Sequence, residues 1–301
     1  VTPIRRELVG HVCVVLAACA SPPASQRMPV DVAPFAALQA ADFPGASAVL
    51  AAFAAPDDDP KMRVGDAALF GVELRREGSV DRLLVLLEIE DLIRETHGFT
   101  VTTTSAPANG GPDVAAEAAR RTYRAHPVKV RLRRLDAAGK PSRASSATLY
   151  DEPMATGLWP FAQRDAPQRA VDMATALLLT LQRLAENDAV LKDLLFRVVD
   201  APSVWSVATR LGIHVALEWV TDQFPPQAVA VELPSALGPE ARSALLAVKV
   251  NGDPALGVHV IMVKPAGASR VCGGIVGAVA QHPRHPERLA VVRLLATRRG
   301  G

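Results

Sequence analysis

The spacing of hydrophobic and polar positions changes several times along this chain of 301 residues, and the changes divide it into segments. Residues 8–18 are a mostly apolar run behind Arg5 and Arg6. Residues 20–34 show no period, and Pro22, Pro23, Pro29 and Pro34 discourage helix there, so the stretch reads as a tether of about 50 Å when fully extended. Residues 36–55 carry a weak helical pattern broken at Pro44-Gly45. From Gly65 the period falls to two. Residues 68–74 and 82–89 flank a polar turn and predict a β-hairpin, 99–104 is a further strand rich in β-branched residues, and 128–132 and 143–150 form another hairpin. Between them, an Ala-rich stretch opened by Asp113 predicts a short helix over 114–124.

Residues 153–167 read as a connector that packs Trp159 and Phe161 over the core. The clearest amphipathic stripe follows over 168–185, where Val171, Ala174, Leu178, Leu181 and Ala185 recur at steps of three and four. Asn187-Asp188 breaks it. A second apolar stripe from Val190 to Val198 completes a helical hairpin, and Ser203 can cap a last short helix that stops at Gly212. Six strands are expected in the remainder: 213–220, 229–233, 245–250, 256–263, 274–280 and 289–296, with Asn251-Gly252 as a hairpin turn. The fold expected is α+β, with antiparallel β-sheets, a central helical hairpin and a β-rich C-terminal third. The boundaries are 1–18, 19–35, 36–164, 165–211 and 212–301, and the alternative makes 36–301 one domain with both strand regions in one sandwich.

Leu16-Ala17-Ala18-Cys19, behind a basic start and an apolar run too short to span a bilayer, resembles the lipobox of bacterial lipoproteins. The resemblance covers about the first 21 residues. It implies a signal peptide over 1–18, removed before Cys19, and lipid attached to Cys19, with two or more acyl chains holding the protein stably to a membrane. Ala20 after the cysteine implies the outer membrane, facing the periplasm. An expected function follows: a membrane-anchored lipoprotein of the cell envelope that acts as a binding or assembly module, its partners the membrane through the lipid and an envelope protein or polymer. An envelope hydrolase is one alternative, and a cytosolic protein with a misread N-terminus is another.

Composition adds limits. A net charge of +2 gives no global field that would recruit nucleic acid, and 27 Arg against 6 Lys reflects a GC-rich genome more simply than a phosphate-binding surface. With Cys13 in the signal and Cys19 acylated, Cys272 is the one thiol left, so no internal disulfide is expected. No nucleophile elbow, Walker loop, dinucleotide fingerprint or zinc-protease motif occurs, and no cofactor or metal is expected. The constellation worth testing for catalysis is Cys272 with His282 and His285, because a thiol nucleophile needs an imidazole beside it. Burial of Cys272 as a small hydrophobe is the competing reading. Glu88, Glu90 and Asp91, the basic side chains Lys129, Arg131, Arg133, Arg134 and Arg143, and the run Asp57-Asp58-Asp59 read as solvated faces and turns.

Overall fold

Strand β2 (Ala67–Arg76) and β3 (Ser79–Leu92) form the expected hairpin, turned at Glu77-Gly78, where both residues have positive φ. A computed structural model of the chain describes residues 13–15, 31–53, 61–105, 117–163, 166–192, 215–219, 226–230, 232–233, 240–250, 253–282 and 285–301. Around the hairpin the described residues build a single sheet of thirteen strands. Its other members are β1 (Cys13–Val15), β4 (His97–Ser105), β5 (Glu117–Ala125), β6 (Pro127–Leu135), β7 (Ser145–Tyr150), β8 (Val215–Trp219), β9 (Gln227–Val229), β10 (Ala241–Val250), β11 (Asp253–Met262), β12 (Ile275–His282) and β13 (His285–Arg298).

Five of the six strands expected after residue 212 are present near their expected bounds, and the one expected over 229–233 is replaced by β9, which ends at Val229; the strands do not stand apart as a C-terminal third. Strand β13 pairs antiparallel with β2 from Leu289↔Arg75 to Arg298↔Ala67, which continues the C-terminal strands into the N-terminal ones as one sheet, not two. The buried Asp66 carboxylate strengthens this junction. It accepts the Arg299 guanidinium at 2.8 Å and the Gly300 N–H at 2.9 Å, locking the end of β13 beside the start of β2.

The helix expected over 114–124 is not formed; Glu117–Ala125 is strand β5. Alanine favours helix, but the exposed residues Arg120, Thr122 and Arg124 alternate with the less exposed Arg121, Tyr123 and Ala125, and this period of two fits the β-branched strand β4 beside it. The pairing of β3 with β6 runs on through Ile93 N–H to Pro127 O and continues as β4 with β5, making one long ribbon. Residues 93–96 of one strand stand opposite only His126 and Pro127 on the other. Extra residues on one side bend a ribbon sharply.

That bend carries β4 and β5 across the inner face as a flap over helix α4 (Gln168–Glu186). The inner face packs on this helix: Ala244, Leu246, Val260 and Met262 meet Ala174, Leu178, Leu158 and Phe161. The connector before α4 holds α3 (Asp151–Thr156) and the 3-10 turn Trp159–Gln163; Phe161 is buried as expected, Trp159 is half-buried, and Leu158 beside them is buried as well. After α4 the Asp188 carboxylate caps a new helical turn by accepting the N–H groups of Val190 and Leu191; the rest of the expected second helix and the short helix after Ser203 lie outside the described residues. Strand β1, from the expected signal run, pairs parallel with β4 and with β8.

The outer face carries a strap, residues 31–53, with α1 (Ala33–Ala37) and α2 (Ala46–Leu50). The tether boundary at residue 35 is corrected here: Phe35 is 1% exposed and belongs to the core, so the folded body begins upstream of it. An apolar ring this close to a proline-rich stretch does not show its burial in a periodicity.

Candidate functional site

At one corner of the flap three elements contribute aromatic rings. Phe99 of β4 stacks on Tyr150, the last residue of β7, with centroids 4.3 Å apart, and lies 5.7 Å from Tyr123 of β5. Aromatic residues are 4% of the chain and tyrosines number two, so both tyrosines stand at this corner. All three rings are half-buried.

Beneath them α4 presents Asp172, whose side chain is fully buried. A buried carboxylate needs donors, and three side chains supply them. Tyr123 donates its hydroxyl to Oδ2 at 2.5 Å, Gln168 donates Nε2–H to Oδ1 at 2.9 Å, and Arg121 Nη1 stands 3.4 Å from Oδ2. Arg169 lies over the Tyr123 ring at 5.5 Å and donates to Glu152 of α3 at 2.6 Å. Burial first, and the bond to Asp172 second, push the Tyr123 hydroxyl up to about 12; burial also raises Tyr150. The flap is thus latched to α4 by a charged network and to β7 by a ring stack. Asp172 on the helix and the alternation of Arg121 with Tyr123 were visible in the sequence, but reading 114–124 as a helix separated them.

Cys272 ends the 3-10 turn Gly267–Cys272 and is buried; its thiol lies 3.2 Å from the Ser269 carbonyl and 3.3 Å from that of Ile275, and burial pushes it up to about 12. His282 lies at the far end of the eight-residue strand β12, about 23 Å away at ~3.3 Å per residue. There its ring lies tilted against that of His285, with centroids 4.8 Å apart, and His285 Nδ1 lies 3.2 Å from Glu287. The structure brings the two histidines together and leaves Cys272 apart from them. His259 stands half-buried on β11, and burial lowers its pKa.

Glu88 accepts from Arg131 at 3.0 Å and from Arg298 at 3.1 Å, and Lys129 faces Asp91 at 3.6 Å, so the acidic run and the basic side chains largely answer each other across β3 and β6. Cys19 and Asp57–Asp59 lie outside the described residues. Among the described residues no three His, Cys, Asp or Glu side chains gather to hold a metal, and no helix is long and apolar enough to cross a membrane.

No family model and no curated protein matches the chain. Among solved structures it is similar to a candidate exported protein of Bacteroides fragilis with a YmcC-like fold, at 8% identity over 81% of this chain and 100% of that one, with a TM-score of 0.29. It is also similar to a β-barrel-like protein of the domain of unknown function DUF1849 from Brucella abortus, at 9% identity over 80% of this chain and 99% of that one, with a TM-score of 0.27.

Proposed function

We propose that the protein is a lipid-anchored binding module of the cell envelope, held to the membrane through Cys19 and receiving an envelope protein or polymer at the corner where the flap meets β7. The observation that carries the binding site is the cluster itself: half-buried rings of Phe99, Tyr123 and Tyr150 above a charged latch. Amphipathic rings with few rotatable bonds give contact area at low entropic cost, and tyrosine and arginine are over-represented among the residues that dominate binding energy. The anchor is supported by the basic start, the apolar run and the Leu16-Ala17-Ala18-Cys19 motif. The hydrolase alternative has less support, since Cys272 is a buried thiol remote from both histidines.

Fractionation of the native host, with mass analysis of the N-terminus, tests the anchor. The expected result is membrane-bound protein carrying acyl mass on Cys19, with Cys19→Ser leaving an uncleaved, unlipidated precursor. An intact, unlipidated wild-type chain in the cytosol overturns it. In-cell photo-crosslinking tests the corner: a crosslinking residue at Thr100, beside Phe99, is expected to capture a partner that one at Val80, on the exposed β2–β3 turn, does not. Equal yields from the two positions overturn the site.

A further inference from the structure

The strand order closes on itself. From β4 it runs β4-β1-β8-β10-β11-β12-β13-β2-β3, and β3 continues into β4 through residues 93–96, so these strands form a ring with α4 on its inner face. Every joint from β8 round to β3 is antiparallel. The two joints of β1 are parallel: Cys13↔Thr102, Val14↔Thr103 and Val15↔Thr104 on β4, and Val15↔Ala216 on β8. Among the described residues, β4 and β8 are joined through β1 alone. The place β1 fills is one strand wide. The strands on either side of it stand about 10 Å apart, twice the strand spacing, which leaves no room for a helix ~10 Å in diameter.

Strand β1 falls within residues 1–18, the segment read as a signal peptide removed before Cys19. On that reading the mature chain lacks it, and the β4 edge loses the strand that covers it. Natural proteins blunt an open edge with charged side chains or proline. Strand β5, at the end of the sheet, is of that kind and carries Arg120, Arg121 and Arg124. Strand β4 is not. From Phe99 to Ser105 it has no charge and no proline, and Thr100, Val101, Thr102, Thr103 and Thr104 are five consecutive β-branched residues. That is the composition of a strand paired on both sides.

We infer that the place of β1 is a docking slot in the mature protein, filled by an extended segment of the envelope partner that adds as a strand parallel to β4, between it and β8. This rests on the anchor reading and deepens the binding role proposed above. It makes the partner a polypeptide, because the edge of β4 is answered by a ladder of backbone N–H and C=O groups, which a polysaccharide lacks. The segment that fits is uncharged and rich in β-branched residues, as Val14-Val15 is. In the register of β1, three further residues at its N-terminal end bring it level with Phe99, so one bound strand runs from the slot to the aromatic corner.

The test uses the chain purified from membranes in detergent, with its N-terminus identified by mass. The probe is a synthetic peptide of residues 10–17 carrying Cys13→Ser, and the readout is amide hydrogen exchange over residues 99–105. In the mature chain alone, the amides of β4 that are not bonded to β5 are expected to exchange fast. The peptide is expected to slow them several-fold, and the same peptide N-methylated at Val14 and Val15 to leave them fast. Slow exchange without peptide, no slowing with it, or equal slowing by the methylated form overturns the slot. In cells, a photo-crosslinking residue at Thr103 is expected to join an uncharged segment of another polypeptide, and that segment, synthesised, to compete with the probe peptide. No adduct, or an adduct with a polysaccharide, with a second copy or with the protein's own chain, overturns the partner. The mass separates the two failures: a chain cleaved and acylated at Cys19 whose exchange fails the test keeps the anchor and loses the slot, whereas a chain that retains residues 1–18 loses both.

Discussion

At the scale of single residues, the Asp172 latch can be read through the two tyrosines, because the chain has no others to obscure them. An unperturbed phenol ionises near pH 10. Tyr123 is pushed up to about 12, by burial first and by its bond to Asp172 second, and Tyr150 is raised by burial. Ultraviolet titration of the native protein is therefore expected to show neither tyrosine ionising with an ordinary midpoint, and the unfolded protein to show both doing so. Asp172→Asn should lower the Tyr123 step and leave the Tyr150 step in place; an unchanged Tyr123 step would remove the carboxylate from the account. The sign for stability follows from a folded pKa above the unfolded one. The contribution is complete below pH 10 and is lost as pH rises from about 10 through about 12, so the melting temperature should fall across that window, and fall less in Tyr123→Phe. Residue chemistry was legible where it depended on local sequence. Cys272 beside an apolar run was readable as a buried thiol, whereas its separation from His282 depended on β12 being extended along its whole length. The latch was not legible, since it joins residues about fifty positions apart through a strand that alanine content disguised.

At the scale of elements, the strap depends on two glycines that a side chain would displace. Gly71→Ala would drive a Cβ into the buried Phe43 ring, and Gly277→Ala would meet both the Phe35 ring and, at 2.5 Å, the carbonyl oxygen of Val292. A ring can shift by leaving its slot; a paired strand carbonyl cannot move without breaking register. Overfilling a packed site costs about 1–3 kcal/mol, so Gly71→Ala is expected near the lower end and Gly277→Ala at or above the upper end, measured by urea unfolding. Adding Phe43→Leu should recover part of the Gly71→Ala loss, while Phe35→Leu should recover little in Gly277→Ala. A reversed order of the two costs would mean the strap does not sit in these slots. Hairpins were legible because their turns and their period of two are local, as at Glu77-Gly78. The strap was less so. Its α1 and α2 are five residues each, too short for periodicity to show a face, and its fastening comes from Arg293, 258 residues from Phe35.

At the scale of the whole molecule, the order of the strands decides what can fold alone. The six strands after residue 212 sit at hairpin-like spacing, which invites division of the chain there, yet β13 completes its pairing only on β2. Long-range partners of this kind leave no mark on spacing, because any antiparallel neighbour satisfies the same alternation. Separated from residues 31–211, the C-terminal strands would lose β2 along nearly the whole of β13. They would also lose the Asp66 carboxylate that holds Arg299 and Gly300, and the α4 surface on which Ala244, Leu246, Val260 and Met262 are packed. The exposed edge and apolar inner face would then favour association over folding. The chain from Asp31 to Gly301 is accordingly expected to unfold in one cooperative transition, with circular dichroism and tryptophan fluorescence superimposing. Residues 212–301 produced alone are expected to lack a cooperative transition and to aggregate or bind a hydrophobic dye. Two resolved transitions in the longer chain, or a sharp melt of 212–301 by itself, would show that the C-terminal strands carry a core of their own and that the β13–β2 pairing is not what holds them.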